Sequence, residues 1–324
     1  MLYPNNKRYN TLDGYFKTRF GCKVAKISLN AGFSCPNRDG TKSFGGCIYC
    51  SPSGSGDFAG DPKRSIREQF EQQTALMRKK WHDAKFLPYF QAGTNTYAPL
   101  CRLREVYEQA LALPDCVGMS IATRPDCISD ETLSYLAEIS ARTYLTVELG
   151  LQTVFDDTGE RINRRTTYAE FLDCYARLCE KNIPVCVHLI NGLPGEDRER
   201  MLESVRRVSA LRPHSVKLHM LHILKDTPCA EMYARGEIKV FEKEEYIELV
   251  CDELELLHPD IIVQRITGDG SRDTLIAPLW SIKKFDVLNG VDRLLSLRNT
   301  HQGTYGEYCR PCGERLPRLR RALP

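Results

Sequence analysis

From residue 24 to residue 220, short apolar runs alternate with amphipathic stretches, and nothing else in the chain narrows its fold as far. The apolar runs fall at 24–29, 86–92, 116–121, 144–149, 185–190 and 216–220, each of strand length. Helical faces lie between them. The first, over 64–81, places Ile66, Phe70, Met77 and Trp81 together; others carry Leu103, Val106, Tyr107 and Ala110, then Leu133, Leu136 and Ile139. Thr167 and Glu170 form a capping box ahead of Phe171, Leu172, Tyr175 and Leu178. A last face holds Met201, Leu202, Val205 and Val208. Mostly apolar strands alternating with helices predict a parallel sheet covered by helices. Right-handed crossovers curl such a series into an open or closed barrel, or a doubly wound sheet. No Gly-x-Gly-x-x-Gly follows the first strand, which disfavours a dinucleotide-binding fold.

The character changes near Gly236. An acidic helix over 242–257, a strand over 261–266, a polar loop over 267–272 and a helix over 282–297 lead to a tail containing Arg310, Arg315, Arg318, Arg320 and Arg321. We therefore divide the chain into 1–235, which builds the barrel, and 236–324, an α/β extension packed on it. No apolar run is long enough to span a bilayer, and the N-terminus lacks the apolar stretch of a signal peptide, so the expected location is cytoplasmic. In that reducing setting the 14 cysteines are not a disulfide framework. Cys174, Cys179, Cys186 and Cys251 lie in apolar-periodic segments and read as small buried hydrophobes; Cys22 reads as structural. The net charge of +3 neither demands nor excludes a nucleic-acid partner. Taken alone, the basic tail reads as a solvated end.

Three cysteines stand apart. Cys35, Cys47 and Cys50 share one Gly-rich loop directly after the first strand, with the aromatic Tyr49 just before the last of them. Structural zinc and iron–sulfur sites close with four ligands. Three thiolates leave one iron of a four-iron cluster open to a cofactor or substrate, which is an arrangement for chemistry. Cys309 and Cys312 form a second Cys-x-x-Cys pair. Two ligands make a full metal site the weaker reading; a redox-active pair and inert tail residues stand beside it.

In a parallel α/β sheet, functional groups gather at the C-terminal ends of the strands. The cysteine loop lies there. So do Gly93 and Thr94 after the second strand, 123–126 after the third, Glu148 and Gln152 at the fourth, and 191–196 after the fifth. Gly and Pro that merely end elements explain any one of these motifs, but not Glu148 and Gln152 in or beside a strand. Lys217 and His219 share one face of the sixth strand at period two and are expected to face the cavity as catalytic candidates. His188 and His222 are weaker candidates, because a lone strand histidine is more often a hydrogen-bonded core residue.

With these motifs in view, the chain resembles the radical S-adenosylmethionine superfamily. The wide spacing from Cys35 to Cys47, with the motifs at 123–126, 148–152, 163–164 and 192–195, is similar to the Elongator catalytic-subunit branch, and over nearly the whole chain to the smaller bacterial YtqA/YhcC-type proteins. That branch's acetyltransferase domain has no room here, so acetyl-CoA chemistry is not implied. The resemblance implies a partial (β/α)6 TIM-like barrel of parallel strands with a C-terminal α/β extension. It implies a 4Fe–4S cluster on Cys35, Cys47 and Cys50, with S-adenosylmethionine on the open iron. Reduction by an external one-electron donor, such as flavodoxin or ferredoxin, would release a 5′-deoxyadenosyl radical. It places Tyr49 beside the adenine, with the backbone of Leu193 to Gly195 nearby. It places Gly93 and Thr94 near the methionyl group, and Glu148 and Gln152 at the ribose hydroxyls and the methionyl end.

Three functions compete. The first is a radical enzyme acting on tRNA, at carbon 5 of the wobble uridine. Its specific form converts carboxymethylaminomethyl-uridine to aminomethyl-uridine, with the basic residues gripping phosphates and a splayed base entering the barrel. The second is a radical enzyme with a small-molecule substrate, favoured by modest charge and the lack of a recognisable RNA-binding module. The third is a non-enzymatic zinc module, opposed by its three-plus-two ligand count and the complete barrel pattern.

Overall fold

The structure, a computed structural model, describes residues 2–268, 270 and 272–306. Cys309, Cys312 and the tail arginines lie outside the described residues. Seven parallel strands form one curled half-barrel sheet whose spatial order follows the chain: β1 (Val24–Leu29), β2 (Lys85–Phe90), β3 (Gly118–Thr123), β4 (Tyr144–Gln152), β5 (Val185–Asn191), β6 (Ser215–Met220) and β8 (Ile262–Arg265). The intervening β7 (Ile223–Leu224) pairs antiparallel with β9 (Leu275–Ala277). The doubly wound alternative is excluded by the sequential strand order. The seventh strand, expected within the extension, pairs in parallel with β6 and continues the sheet.

Each crossover carries a helix on the outer face. These are α2 (Ile66–Lys80), α3 (Leu100–Leu111), α4 (Asp130–Arg142), the short α5 (Asp156–Arg161) with α6 (Tyr168–Glu180), α7 (Arg198–Leu211), and then α8 (Pro228–Ala234) and α9 (Lys243–Leu256) before β8. A final α10 (Lys284–Leu297) packs on α9. Full Ser65/Glu68 and Thr167/Glu170 capping boxes start α2 and α6. The outward side chains of the strands make the core: Ile27 and Leu29, Phe86 and Phe90, Val147 and Leu149, Val187 and Leu189, Val216 and Leu218 meet Phe70, Tyr107, Leu136, Phe171 and Val205 from the helices. Burying each large side chain contributes about 1.5–3 kcal/mol.

Three helices were not anticipated: the short α5 and α8, and α1 (Leu12–Phe20). α1 runs before β1 and closes the N-terminal end of the half-barrel. Its Phe16 lies with Val24, Leu87 and Tyr144, the last in an edge-on contact at 5.6 Å, and Tyr15 meets His214 edge-on at 5.3 Å. The chain just ahead of α1 lies along β8, where Val263 N–H donates to Asn10 O at 2.7 Å. With that end plugged, access to the concave face comes from the C-terminal rim. Among the described residues, no helix is long and apolar enough to cross a membrane.

Candidate active site

The loop from β1 to α2 holds Cys35, Cys47 and Cys50. Its start is a tight turn, with Arg38 N–H and Asp39 N–H both donating to Cys35 O at 2.8 and 3.1 Å. Positive φ at Gly45 (79°) and Gly46 (80°) then turns the chain back into the Cys47–Cys50 pair. Cys47 is buried, while Cys35 and Cys50 are partly exposed. A hydrogen bond from Cys50 is the main reason the Cys47 thiol falls to about 6; burial opposes it, and Tyr49, Arg124 and Asn37 add to it. The same bond, with burial, pushes Cys50 up. Arg124 senses the charge of both Cys35 and Cys47. Buried Asn37 aims its Nδ2 at Cys47 Sγ, 3.6 Å away, and its Oδ1 has no partner among the described residues. Clustered thiols, one already tending to thiolate beside a fixed cation, fit the donor set of an iron–sulfur cluster.

The segment 162–166 clamps this loop to the end of β4. Ile48 N–H donates to Ile162 O at 3.1 Å, Asn37 Nδ2 to Asn163 O at 2.5 Å, and Asn163 Nδ2 to Gly46 O at 2.7 Å. The buried Arg164 guanidinium reaches the other way, to the carbonyls of Leu151 and Thr153. Arg124, paired in two contacts with Asp126, holds the same segment from β3 through Arg164 O at 2.8 Å. The motifs at 123–126 and 163–164 thus do positioning work that their spacing could not disclose.

The expected cofactor residues line the rim. Gly93 has φ of 73°, and a Cβ there would run into Phe33 O, so glycine lets the β2 loop sit against the cysteine loop. Thr94 is buried, with its N–H on Ser34 O at 3.0 Å. Gln152 ends β4 at φ of 64° after a register shift. Tyr49 and Leu193 share one apolar cluster with Ile48 and Ile162. Gly195 has φ of 90° and lies against Arg161. The Thr153 hydroxyl donates to Glu196, tying the 192–196 loop to β4.

Glu148 has different surroundings from those expected for a ribose contact. It is fully buried mid-strand on the concave face, with Lys26 on Oε1 and Lys217 (2.6 Å) and His188 (2.8 Å) on Oε2. Burial alone would raise its pKa, but Lys217, Lys26 and His188 overcome that and hold the carboxyl well below the usual range. Burial brings Lys217 down to about 8 despite Glu148, and brings His188 down to about 4. Lys217 also donates to Tyr89 OH at 3.1 Å. His219 faces His188 with ring centroids 5.3 Å apart, so the expected Lys217–His219 pair does lie together on the inner face. His222 packs instead against Gly268. Lys26, Tyr89 and Gln264 were missed as members of this array. Lys26 Nζ donates to Gln264 Oε1 at 2.6 Å, which joins the two edge strands, β1 and β8. The signal was present as polar residues at period two inside apolar strands.

A parallel half-barrel with a three-cysteine loop at its C-terminal rim defines a class of radical enzyme. Family models agree: the Radical SAM superfamily matches residues 35–208, and the Radical_SAM C-terminal domain matches residues 213–296. The chain belongs to the radical SAM superfamily; it is an enzyme whose cofactors are a 4Fe–4S cluster and S-adenosylmethionine, supplied with electrons from outside the chain. It is 47% identical over 304 residues to the uncharacterized protein YtqA of Bacillus subtilis, covering 94% of each chain. It is 28% identical over 157 residues to a tRNA uridine(34) acetyltransferase of Methanocaldococcus jannaschii, covering 48% of this chain and 28% of that one. The fold resembles that of the archaeal Methanocaldococcus infernus Elp3 with a TM-score of 0.63 at 17% identity, covering 87% of this chain and 64% of the other.

Proposed function

We propose that this enzyme modifies tRNA at the wobble uridine, in the specific form of converting carboxymethylaminomethyl-uridine to aminomethyl-uridine. The observation that carries this reading is the alignment with a tRNA uridine(34) acetyltransferase across half of this chain. The rim supports it. Arg161 and Arg165 are exposed at the 162–166 clamp; Arg165 Nε donates to Asn163 Oδ1 at 2.7 Å, and neither pairs with a carboxylate among the described residues, which leaves their charge available to phosphates. The closed N-terminal end and polar concave face suit a base inserted from the rim.

In this reading Cys35, Cys47 and Cys50 hold the cluster. Tyr49, Leu193 and Gly195 flank the adenine, Gly93 and Thr94 the methionyl group, and Gln152 the ribose or methionyl end. A cluster held by these thiols, together with S-adenosylmethionine, would supply reductive C–S cleavage of the cofactor and hydrogen-atom abstraction from the substrate. The chain's own residues orient the cofactor, keep water from it and hold the base below it.

Mass spectrometry of tRNA nucleosides from cells with and without the gene tests the reaction: carboxymethylaminomethyl-uridine should accumulate, and aminomethyl-uridine fall, on deletion. Filter binding of tRNA across a salt series tests the partner, with affinity falling steeply as salt rises. Unchanged nucleosides together with no tRNA binding at low salt would replace this reading with a small-molecule substrate.

A further inference from the structure

The concave face of the sheet carries a charge imbalance at its centre. Two ammonium groups, Lys26 from β1 and Lys217 from β6, bind the single carboxylate of Glu148 on β4, one on each oxygen. Both also stand over the Tyr89 ring, at 4.7 and 4.5 Å from its centroid. No other carboxylate pairs with either lysine among the described residues. Arg265 adds to the positive field at Lys217 and His219. The two imidazoles add no charge of their own, because burial keeps both His188 and His219 neutral. Two ammonium groups against one carboxylate leave the Lys26–Glu148–Lys217 triad with one positive charge unmatched.

A strut that merely joined β1, β4 and β6 would be sealed and balanced, since unmatched buried charge is costly. This array is not sealed: the side chains of Lys26 and His188 keep 18% and 17% of their surface accessible in the middle of the concave face. A metal ion does not complete it either. Ligand atoms of Glu148, Cys186 and His188 lie within 4.8 Å of one another, which is metal-like spacing. However, two ammonium groups already occupy that carboxylate and would repel a cation, and burial pushes the Cys186 thiol up to about 12, so it keeps its proton. What the array lacks is a single negative charge.

We propose that Lys26 and Lys217 bind a carboxylate of the substrate inside the half-barrel, with His219 donating a hydrogen bond that orients it and Glu148, itself accepting from His188, holding the two lysines in place. A carboxylate carries the one charge needed and is small enough to reach mid-strand on a thin arm. On the tRNA reading, on which only the identity of the carrier rests, that arm is the carboxymethyl group of the modified wobble uridine.

The reconstituted holoenzyme with S-adenosylmethionine is assayed on two anticodon stem-loops, one bearing the carboxymethylaminomethyl group and one its methyl ester. A charge-assisted contact is worth roughly ten- to a hundredfold in affinity. The acid should therefore exceed the ester in kcat/KM by about that factor. Lys217→Met and Lys26→Met should bring the ratio toward one, and Lys217→Arg should retain most of it; iron content reports folding of each variant. Equal use of acid and ester by the wild type, or a ratio unchanged in variants that hold their iron, overturns the proposal. If neither stem-loop is used, the tRNA reading fails, and trifluoroacetate serves as the probe. Its fluorine NMR signal should broaden saturably with wild-type holoenzyme, recover on adding acetate, and weaken at least about tenfold with the Lys26→Met/Lys217→Met double variant. No acetate-reversible broadening with the wild type overturns the anchor, whatever the substrate.

Discussion

The guanidinium of Arg164 holds the backbone carbonyl of Leu151 at 2.6 Å, and the same nitrogen holds Thr153 O at 2.6 Å. Thr153 N–H also closes on Leu151 O at 2.8 Å, so Gln152 sits at the apex of a three-residue turn with φ of 64°. Such turns are strained and persist only where their surroundings over-determine them. Arg164 is that surrounding. It is 2% exposed and also reaches Thr166 O and Asp156.

Arg164→Met should remove the guanidinium donor from both carbonyls, leaving Leu151 O only the Thr153 N–H, and release the strained turn. The expected loss is about 3–5 kcal/mol of stability, read by urea unfolding, together with reduced iron retention because Asn163 no longer stays against Gly46. A variant as stable as the wild type with full iron would show that the clamp is not needed.

Gln152→Gly separates strain from binding. Glycine accepts positive φ freely but loosens the unfolded chain, so stability should stay within about 1 kcal/mol of the wild type. Affinity for S-adenosylmethionine should fall roughly tenfold to a hundredfold with the lost polar contact. Titration of the reconstituted variant gives the answer, and an unchanged Kd would make Gln152 a purely conformational residue.

Replacing any one of Cys35, Cys47 or Cys50 with Ala should abolish either the cluster or its cleavage of S-adenosylmethionine. Cys174→Ala, inside the helical core, should cost only packing. The assay is iron content plus 5′-deoxyadenosine formed after reduction. Product from a triple Ala variant would refute the assignment.

Glu253 on α9 accepts from Asn191 Nδ2 at 3.0 Å, just ahead of the 192–196 loop. Burial raises its carboxyl from 4.5 to about 8. Between those values the folded chain binds the extra proton, so this site's contribution to stability is full below 4.5 and is lost as pH rises through about 8. Glu253→Gln keeps an acceptor for Asn191 and cannot ionise. It should flatten that slope and be more stable than the wild type at pH 8, by on the order of 2 kcal/mol. Urea unfolding at several pH values checks it; parallel profiles for the two proteins would count against a buried, protonated Glu253.

Much of this fold was legible in the chain because its strands are apolar on the covered face and its helices carry clear stripes. β2 and β3 shifted by one or two residues at their ends, where propensity is weak. α1 escaped notice because it is short and only Gly14 and Phe16 are buried; its role depends on Tyr144 and Leu87, which lie far along the chain. The rim motifs were visible as Gly, Pro and polar residues after each strand, and the cysteine loop as three thiols after the first.

The sequence by itself determined the parallel sheet, the cysteine loop and the end of the sheet where chemistry is placed, because these follow from local periodicity and from the order of elements. Only the tertiary structure decided which polar groups meet. Lys26 and Gln264 are 238 positions apart, and they touch because the sheet curls until its edge strands approach. Lys217 and Glu148 are 69 positions apart, and they touch because β4 and β6 flank β5 with both side chains on the concave face, where curvature draws them together. Period two tells which face a strand residue takes, but curvature selects its partners, and curvature comes from the packing of the whole sheet.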